Sequence, residues 1–353
     1  LVVLGGAGYL LLGGVGSSVP VLEPAPATGP ITLGFIGPLS GDGANLGQNA
    51  RAAVEIAVDE VNAMGGINGR PLAMVYEDGK CNGKDAVNAA TKLINVDKVP
   101  VIIGGACSGE TALFAPLAEQ SKTVVLSYCS SAPKITQAGD YIFRNYPSDV
   151  YQGNFAANYI YNTLEKHNVA VLYAQTDWGN GIKDVFVENF KKLGGQILAE
   201  EGYAQSSRDL RGQLTKIKAL KPDLLYFLGY TEESIVGLKQ AKELKLVVPI
   251  FGGDTWDDTK IYSGAGKAAE GIMYSVVYAP LNDAFKAKMK EKTKSDDVII
   301  CSPGAYDAVH MMSQLIAKVG TDTTAIKNGL YGAEYKGGVS SADIKFDANG
   351  DVV

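Results

Sequence analysis

Histidine is almost missing from this chain of 353 residues, which has only His167 and His310, and cysteine is confined to Cys81, Cys107, Cys129 and Cys301. No two cysteines stand as CxxC, so the ligand set of a zinc site is lacking. There is no Walker A sequence and no G-x-G-x-x-G after a strand. The run GACSG, residues 105–109, places its serine one position away from a G-x-S-x-G elbow. His310 falls on the apolar face of an expected helix and His167 in a helix-to-strand turn, so neither sits in a nucleophile–base set. The chain is therefore read as a non-enzyme with no metal and no cofactor. Positive charge is also scarce: 32 Lys and Arg against 38 Asp and Glu leave a net charge of −6. That excludes the basic surface that nucleic acid or an anionic membrane demands.

Charge is absent altogether from the first 22 residues, LVVLGGAGYLLLGGVGSSVPVL, and the first basic residue is Arg51. A core helix would need a polar face, which this glycine-rich run lacks. It reads as an uncleaved apolar anchor or a signal remnant, with no lipobox cysteine to make it a lipoprotein. Residues 23–30, EPAPATGP, read as an extended spacer. The expectation is an extracytoplasmic, membrane-tethered domain in periplasm or at the cell surface, where disulfides persist.

Strands and helices alternate after the spacer. ITLGFIG, LAMVYED, VPVIIGG and TVVLSY read as buried strands, with helices near 47–64, 84–96 and 111–121 between and after them. The pattern restarts past RNYPSD with VAVLYA, GQILAEEGY, DLLYFLGY and VVPIFGGD, again separated by helices. Such alternation predicts parallel sheets with helices on both faces, and the length suits two lobes. GIMYSV and helices near 283–294 and 303–319 read as a return to the first lobe.

In open α/β sheets ligands sit beyond the strands' carboxyl ends. In the first half those ends carry GPLSGDGANLG, CSGET and YCSSAPKIT, which offer hydroxyls and helix-start N–H groups suited to an anion. In the second half they carry Trp178, Tyr230, Asp254, Trp256 and Asp257, aromatics and acids suited to a cation. A free α-amino acid satisfies both. Each residue also has a plainer role open to it. Ser108 can cap its helix, Asp254 can cap a following one, and Trp178 and Tyr230 can be core. The pairs Asp296–Asp297 read as solvated. Gly104 and Gly105 read as slimming the backbone for the approach of a ligand.

At these residues the sequence resembles the type I periplasmic binding proteins, specifically the leucine/isoleucine/valine-binding receptors of ABC importers. The resemblance rests on GPLSGDGANLGQNARAAVEIAVDEVNAMGGINGRPLAMVYED, SYCSSAPKIT, and IKALKPDLLYFLGY with GLKQAKELKL, and covers the chain from Ile31. It implies an α/β fold of two doubly wound parallel-sheet lobes joined by three hinge crossings, near Arg144–Asp149, Val276–Ala279 and Lys336–Val339. Lobe 1 would comprise residues 31–146 and 277–336, and lobe 2 residues 147–276 and 337–353. Ser108 and Ser131 would hold the ligand carboxylate. Asp254 and the Cys129 carbonyl would hold its ammonium, and Trp178, Tyr230 and Leu46 would cover it. Cys81 and Cys107 would form a disulfide, whereas Cys129 and Cys301 stand outside the family pattern and their pairing stays open. Serine at 131, Asp rather than Glu at 254 and Leu at 46 depart from that pattern and leave the side-chain preference open. The implied partners are a small amino acid, aliphatic or branched-chain, and the permease subunits of an ABC importer. The alternative is a ligand-sensing or surface-assembled binding protein for another small carboxylate or amide.

Overall fold

The computed structural model describes residues 29–353, so the anchor expected at 1–22 and most of the spacer at 23–30 lie outside the described residues. Five strands form the first sheet: β1 (Ile31–Gly37), β2 (Leu72–Asp78), β3 (Val101–Ile103), β4 (Val124–Ser127) and β5 (Ile142–Arg144), in the order β2-β1-β3-β4-β5. Five more form the second: β6 (Asn168–Ala174), β7 (Gln196–Tyr203), β8 (Leu224–Leu228), β9 (Ile250–Gly252) and β10 (Met273–Tyr274), in the order β10-β9-β8-β6-β7. All pairings within both sheets are parallel. Parallel neighbours cannot be joined by tight turns, so most links carry a covering helix, while β4 and β5 are joined by a loop with one short 3-10 turn at Pro133–Gln137.

In the first lobe α1 (Ala44–Ala63) packs with α10 (Ser302–Val319) and α11 (Thr323–Gly332) on one face of the sheet. The helices α2 (Gly83–Asn95) and α3 (Ser108–Ser121) cover the other. Phe35 and Phe143 are fully buried under α1, α10 and α11, each contributing about 1.5–3 kcal/mol by leaving water. In the second lobe α4 (Asp149–Asn158) and α5 (Asp177–Lys192) cover one face. The other face carries α6 (Arg211–Leu220), α7 (Thr231–Glu243) and α8 (Thr259–Ala265). The remaining helix, α9 (Asp283–Thr293), packs with α1 through Phe285 and Met289.

Helix starts follow local chemistry. Asn82 accepts from the N–H groups of Lys84 and Asp85 to open α2, and Thr176 accepts from Gly179 to open α5. Strand β5 and helix α11 escape the sequence pattern. The first has three residues, too few for a period to show, and pairs with β4 from Val125–Ile142 onward.

The chain passes between lobes at residues 145–148 and 275–281. Residues 337–353, expected in lobe 2, pack on lobe 1 instead. Tyr335–Lys336 (β11) pairs antiparallel with Asp343–Ile344 (β12), and Ile344 and Phe346 enter the core beside Phe143. Arg144, 0% exposed, grips Asp351 with two bonds, Nε to Oδ1 at 2.6 Å and Nη2 to Oδ2 at 2.8 Å. Asp307 accepts from the N–H groups of Val339 and Ser340. These bonds keep the turn near Lys336–Val339, expected to cross, on the first lobe. Among the described residues no helix is long and apolar enough to cross a membrane.

Candidate functional site

The carboxyl ends of the two sheets face each other, and their loops enclose one small cavity. Leu46, Cys107, Ser108, Cys129 and Ser131 line it from the first lobe, with Trp178, Tyr230 and Asp254 from the second. The seven residues to which the resemblance gives ligand roles thus line one cavity. Ala106, Thr255 and Ile300 complete the wall. Ile300 was not foreseen: it sits in a loop before α10 and carries no signal beyond its neighbour Cys301. Trp178 is 4% exposed and its ring lies 5.0 Å from that of Tyr230, a paired aromatic lid that belongs to the lobe-2 core as well. The other second-half candidates lie elsewhere. Trp256 is fully buried edge-on to Phe227, and Asp257 accepts from the Tyr274 hydroxyl.

The first-lobe wall is built from hydroxyls and amides. Cys107, not Ser108, occupies the cap position of α3, and Ser108 is its first helical residue. The Ser108 Oγ accepts from the Ala132 N–H at 3.1 Å, which leaves its own hydrogen free to donate. Glu110 lies fully buried beneath this turn and accepts from the N–H groups of Cys81, Ala106 and Cys107. Burial pushes its carboxyl up to about 7, against the pull of those bonds. The backbone N–H groups of Ser108 and Ser131 have no acceptor among the described residues.

Gly104 and Gly105 serve packing rather than ligand approach. A Cβ on Gly104, at φ +151°, would stand 2.4 Å from the Ile36 carbonyl oxygen. One on Gly105 would stand 2.8 Å from the Glu110 Cβ. Neither glycine lines the cavity.

Asp254 is the one charged side chain on the cavity wall among the described residues. It is 3% exposed, its Oδ2 accepts from the Tyr146 hydroxyl at 2.7 Å, and its Oδ1 has no partner. Ser131 turns its hydroxyl to Oδ2 of the buried Asp149, at 2.9 Å, so the hydroxyl presents lone pairs rather than its hydrogen to the cavity.

Two disulfides flank the site. Cys81 is joined to Cys107, with Cα atoms 5.3 Å apart, and Cys129 to Cys301, with Cα atoms 5.2 Å apart. Cys129 and Cys301 both belong to the lobe-1 core, so their bond does not span the lobes. Between the walls about 20 Å³ remains free, room for about one water molecule. The cavity as it stands is too small to hold an amino acid.

The sequence is 29% identical over 328 residues to the leucine-, isoleucine-, valine-, threonine- and alanine-binding protein of Pseudomonas aeruginosa, covering 91% of this chain and 87% of that one. The fold superposes on a leucine-binding protein from Thermotoga maritima with a TM-score of 0.84 at 26% identity, over 91% of this chain and 93% of that one. It also superposes on the branched-chain amino acid transporter substrate-binding protein of Streptococcus pneumoniae, solved in complex with isoleucine, with a TM-score of 0.83 at 27% identity, over 92% and 93%. The family model for periplasmic binding proteins matches residues 30–352. With two lobes of parallel sheet meeting at a polar cavity and a match over nearly its whole length, the chain belongs to the periplasmic binding protein family.

Proposed function

We propose that the protein captures a free α-amino acid with an aliphatic or branched side chain between its lobes and delivers it to the permease subunits of an ABC importer. The observation that carries this reading is Asp254: a single acid with an unpartnered oxygen, facing a wall of neutral donors. A zwitterion leaving water needs both ends paired, or desolvation cancels binding. Asp254 and the Cys129 carbonyl serve the ammonium. The Ser108 hydroxyl and the amides of Ser108 and Ser131 serve the carboxylate. Leu46, Ile300, Trp178 and Tyr230 offer apolar contact to the side chain. The names of the relatives, which bind leucine, isoleucine and valine, support the same ligand class. A structural neighbour from R. palustris in complex with benzoate shares 20% identity and supports the fold alone.

The family places the protein outside the cytoplasm. The apolar run 1–22 would tether it there, and membrane partition of the full chain against one starting at Gly29 tests this. The test of the ligand is a thermal-shift screen of the twenty amino acids with calorimetry on the hits. Leucine, isoleucine or valine should stabilise most. Stabilisation by benzoate with none by any amino acid would replace the reading with that of a simple carboxylate receptor.

A further inference from the structure

Behind the cavity wall stands a second acid. Asp149 opens α4 at the first lobe crossing and is 1% exposed. It is tied to the cavity from two directions. Ser131, on the wall, donates to its Oδ2 at 2.9 Å. The Gln152 amide, in the orientation that satisfies all its neighbours, places its nitrogen 3.3 Å from Asp149 Oδ1 and its oxygen 2.8 Å from the Asp254 N–H. Gln152 therefore bridges the Asp149 carboxyl and the Asp254 backbone, both acids are nearly fully buried on the wall of one further cavity at the crossing, and Asp254 Oδ1 is buried with no partner among the described residues.

Two buried carboxylates that face the same cavity do not readily both ionise without a counter-charge. The surroundings supply little. Arg144 on β5 favours the anion of Asp149, but it is already held by Asp351. The other titratable groups facing the pair are neutral or acidic: Tyr146 in the crossing, Tyr226 on β8, Tyr230 at the end of β8, and Asp257 in the turn after β9. Burial pushes both carboxyls up, and the charge of Asp254 adds to the rise at Asp149.

We propose that Asp149 is an acidic positioning residue behind the ammonium site: the pair of Asp149 and Asp254 holds one proton in the free protein, and the ligand's ammonium, paired with Asp254, displaces that proton. The step balances simply. The carboxylic O–H bond breaks, its proton passes to solvent, and the resulting carboxylate pairs with an ammonium that keeps all three of its hydrogens. Asp149 acts through Ser131 and Gln152, so it is a positioning residue. The proposal rests on the amino-acid reading above.

Calorimetry with leucine in buffers of different ionisation enthalpy counts the protons. The expected result is proton release on binding and an affinity that rises with pH, by about tenfold per pH unit where one proton leaves. In Asp149→Asn the release should fall by roughly half or more, because the proton is no longer held by a like-charged neighbour. Tyr146→Phe, which removes the bond favouring ionised Asp254, should increase the release, and it carries the test if Asp149→Asn does not fold. Tight binding of leucine without proton release, or release unchanged in both variants, overturns the proposal. Failure of every amino acid to bind instead sinks the amino-acid reading. Infrared spectroscopy of the ligand-free protein then decides the shared proton. A protonated-carboxyl band that loses intensity in Asp149→Asn, beyond the part that Glu110 keeps in both proteins, supports it. No such band in the parent overturns it.

Discussion

Arg208 of the second lobe meets Asp42 of the first across the cleft, Nη2 to Oδ1 at 2.6 Å. The two residues follow β7 and β1, so their contact exists only while the lobes are together. Lys134 to Asp177 at 2.6 Å and Asn45 to Asp258 at 3.1 Å repeat the arrangement elsewhere on the rim. Arg208 is half exposed, and exposed pairs contribute about 0.2–1 kcal/mol. Arg208→Ala should therefore weaken ligand by no more than about fivefold, with most of the loss gone at high salt. X-ray scattering should show a larger radius of gyration for the ligand-free variant than for the parent. A loss of a hundredfold would mean that Arg208 does more than latch.

Asp254→Asn should be far more costly. The variant keeps shape but leaves the ammonium without its counter-charge in a closed cavity. Truncating one partner of a buried charge pair costs about 2–5 kcal/mol, roughly 30-fold to a few thousand-fold in affinity. Ser108→Ala should cost about 1–2 kcal/mol, since the amide donors stay in place. Calorimetry with leucine gives the comparison. Parent-like binding by Asp254→Asn alongside total loss in Ser108→Ala would point to a ligand that is not an amine.

The two disulfides should differ in what they hold. Cys129–Cys301 spans 172 residues of sequence and Cys81–Cys107 spans 26. In the chain-entropy model the longer closure stabilises by about 5 kcal/mol and the shorter by about 3–4. Removing both partners as Cys129→Ser with Cys301→Ser should lower the melting temperature more than the equivalent pair at 81 and 107. Because Cys129 and Cys301 lie in one lobe, ligand-induced compaction should survive the change. A double variant that folds as stably as the parent but no longer closes would contradict this.

The wall residues were legible as a group because they share one kind of place, the segments that follow the carboxyl ends of strands. Ser108, Ser131, Trp178, Tyr230 and Asp254 each have an ordinary structural role open to them, and only their shared position separates the readings. Asp149 was invisible for the opposite reason: in sequence it is one more acid in the first turn of a helix, where acids are common. Its burial and its bond to Ser131 depend on the lobe crossing, which no local pattern encodes. The assignment of residues 337–353 failed similarly, since Ile344 and Phe346 are too few to announce which core they join. Gly104 and Gly105 misled because a glycine records a close approach without naming what approaches.

Glu110 offers a test of the site's foundation that needs no ligand. Its carboxyl lies under the Cys107–Ser108 turn and ties three N–H groups, including that of Cys81 across the disulfide. Burial raises it from 4.5 to about 7, so the native protein holds its proton more tightly than the unfolded chain. Such a group stabilises fully below pH 4.5, and the contribution fades as pH climbs through about 7. The parent should lose stability between these limits. Glu110→Gln, which has no proton to lose there, should show a flatter profile. It should also be less stable throughout, because its amide offers one accepting oxygen where the carboxylate offers two, and turns its NH2 toward N–H donors. Urea melts of both proteins at pH 5 and pH 8 measure the difference. If the two profiles run parallel, the three N–H bonds hold Glu110 ionised throughout that range and outweigh its burial.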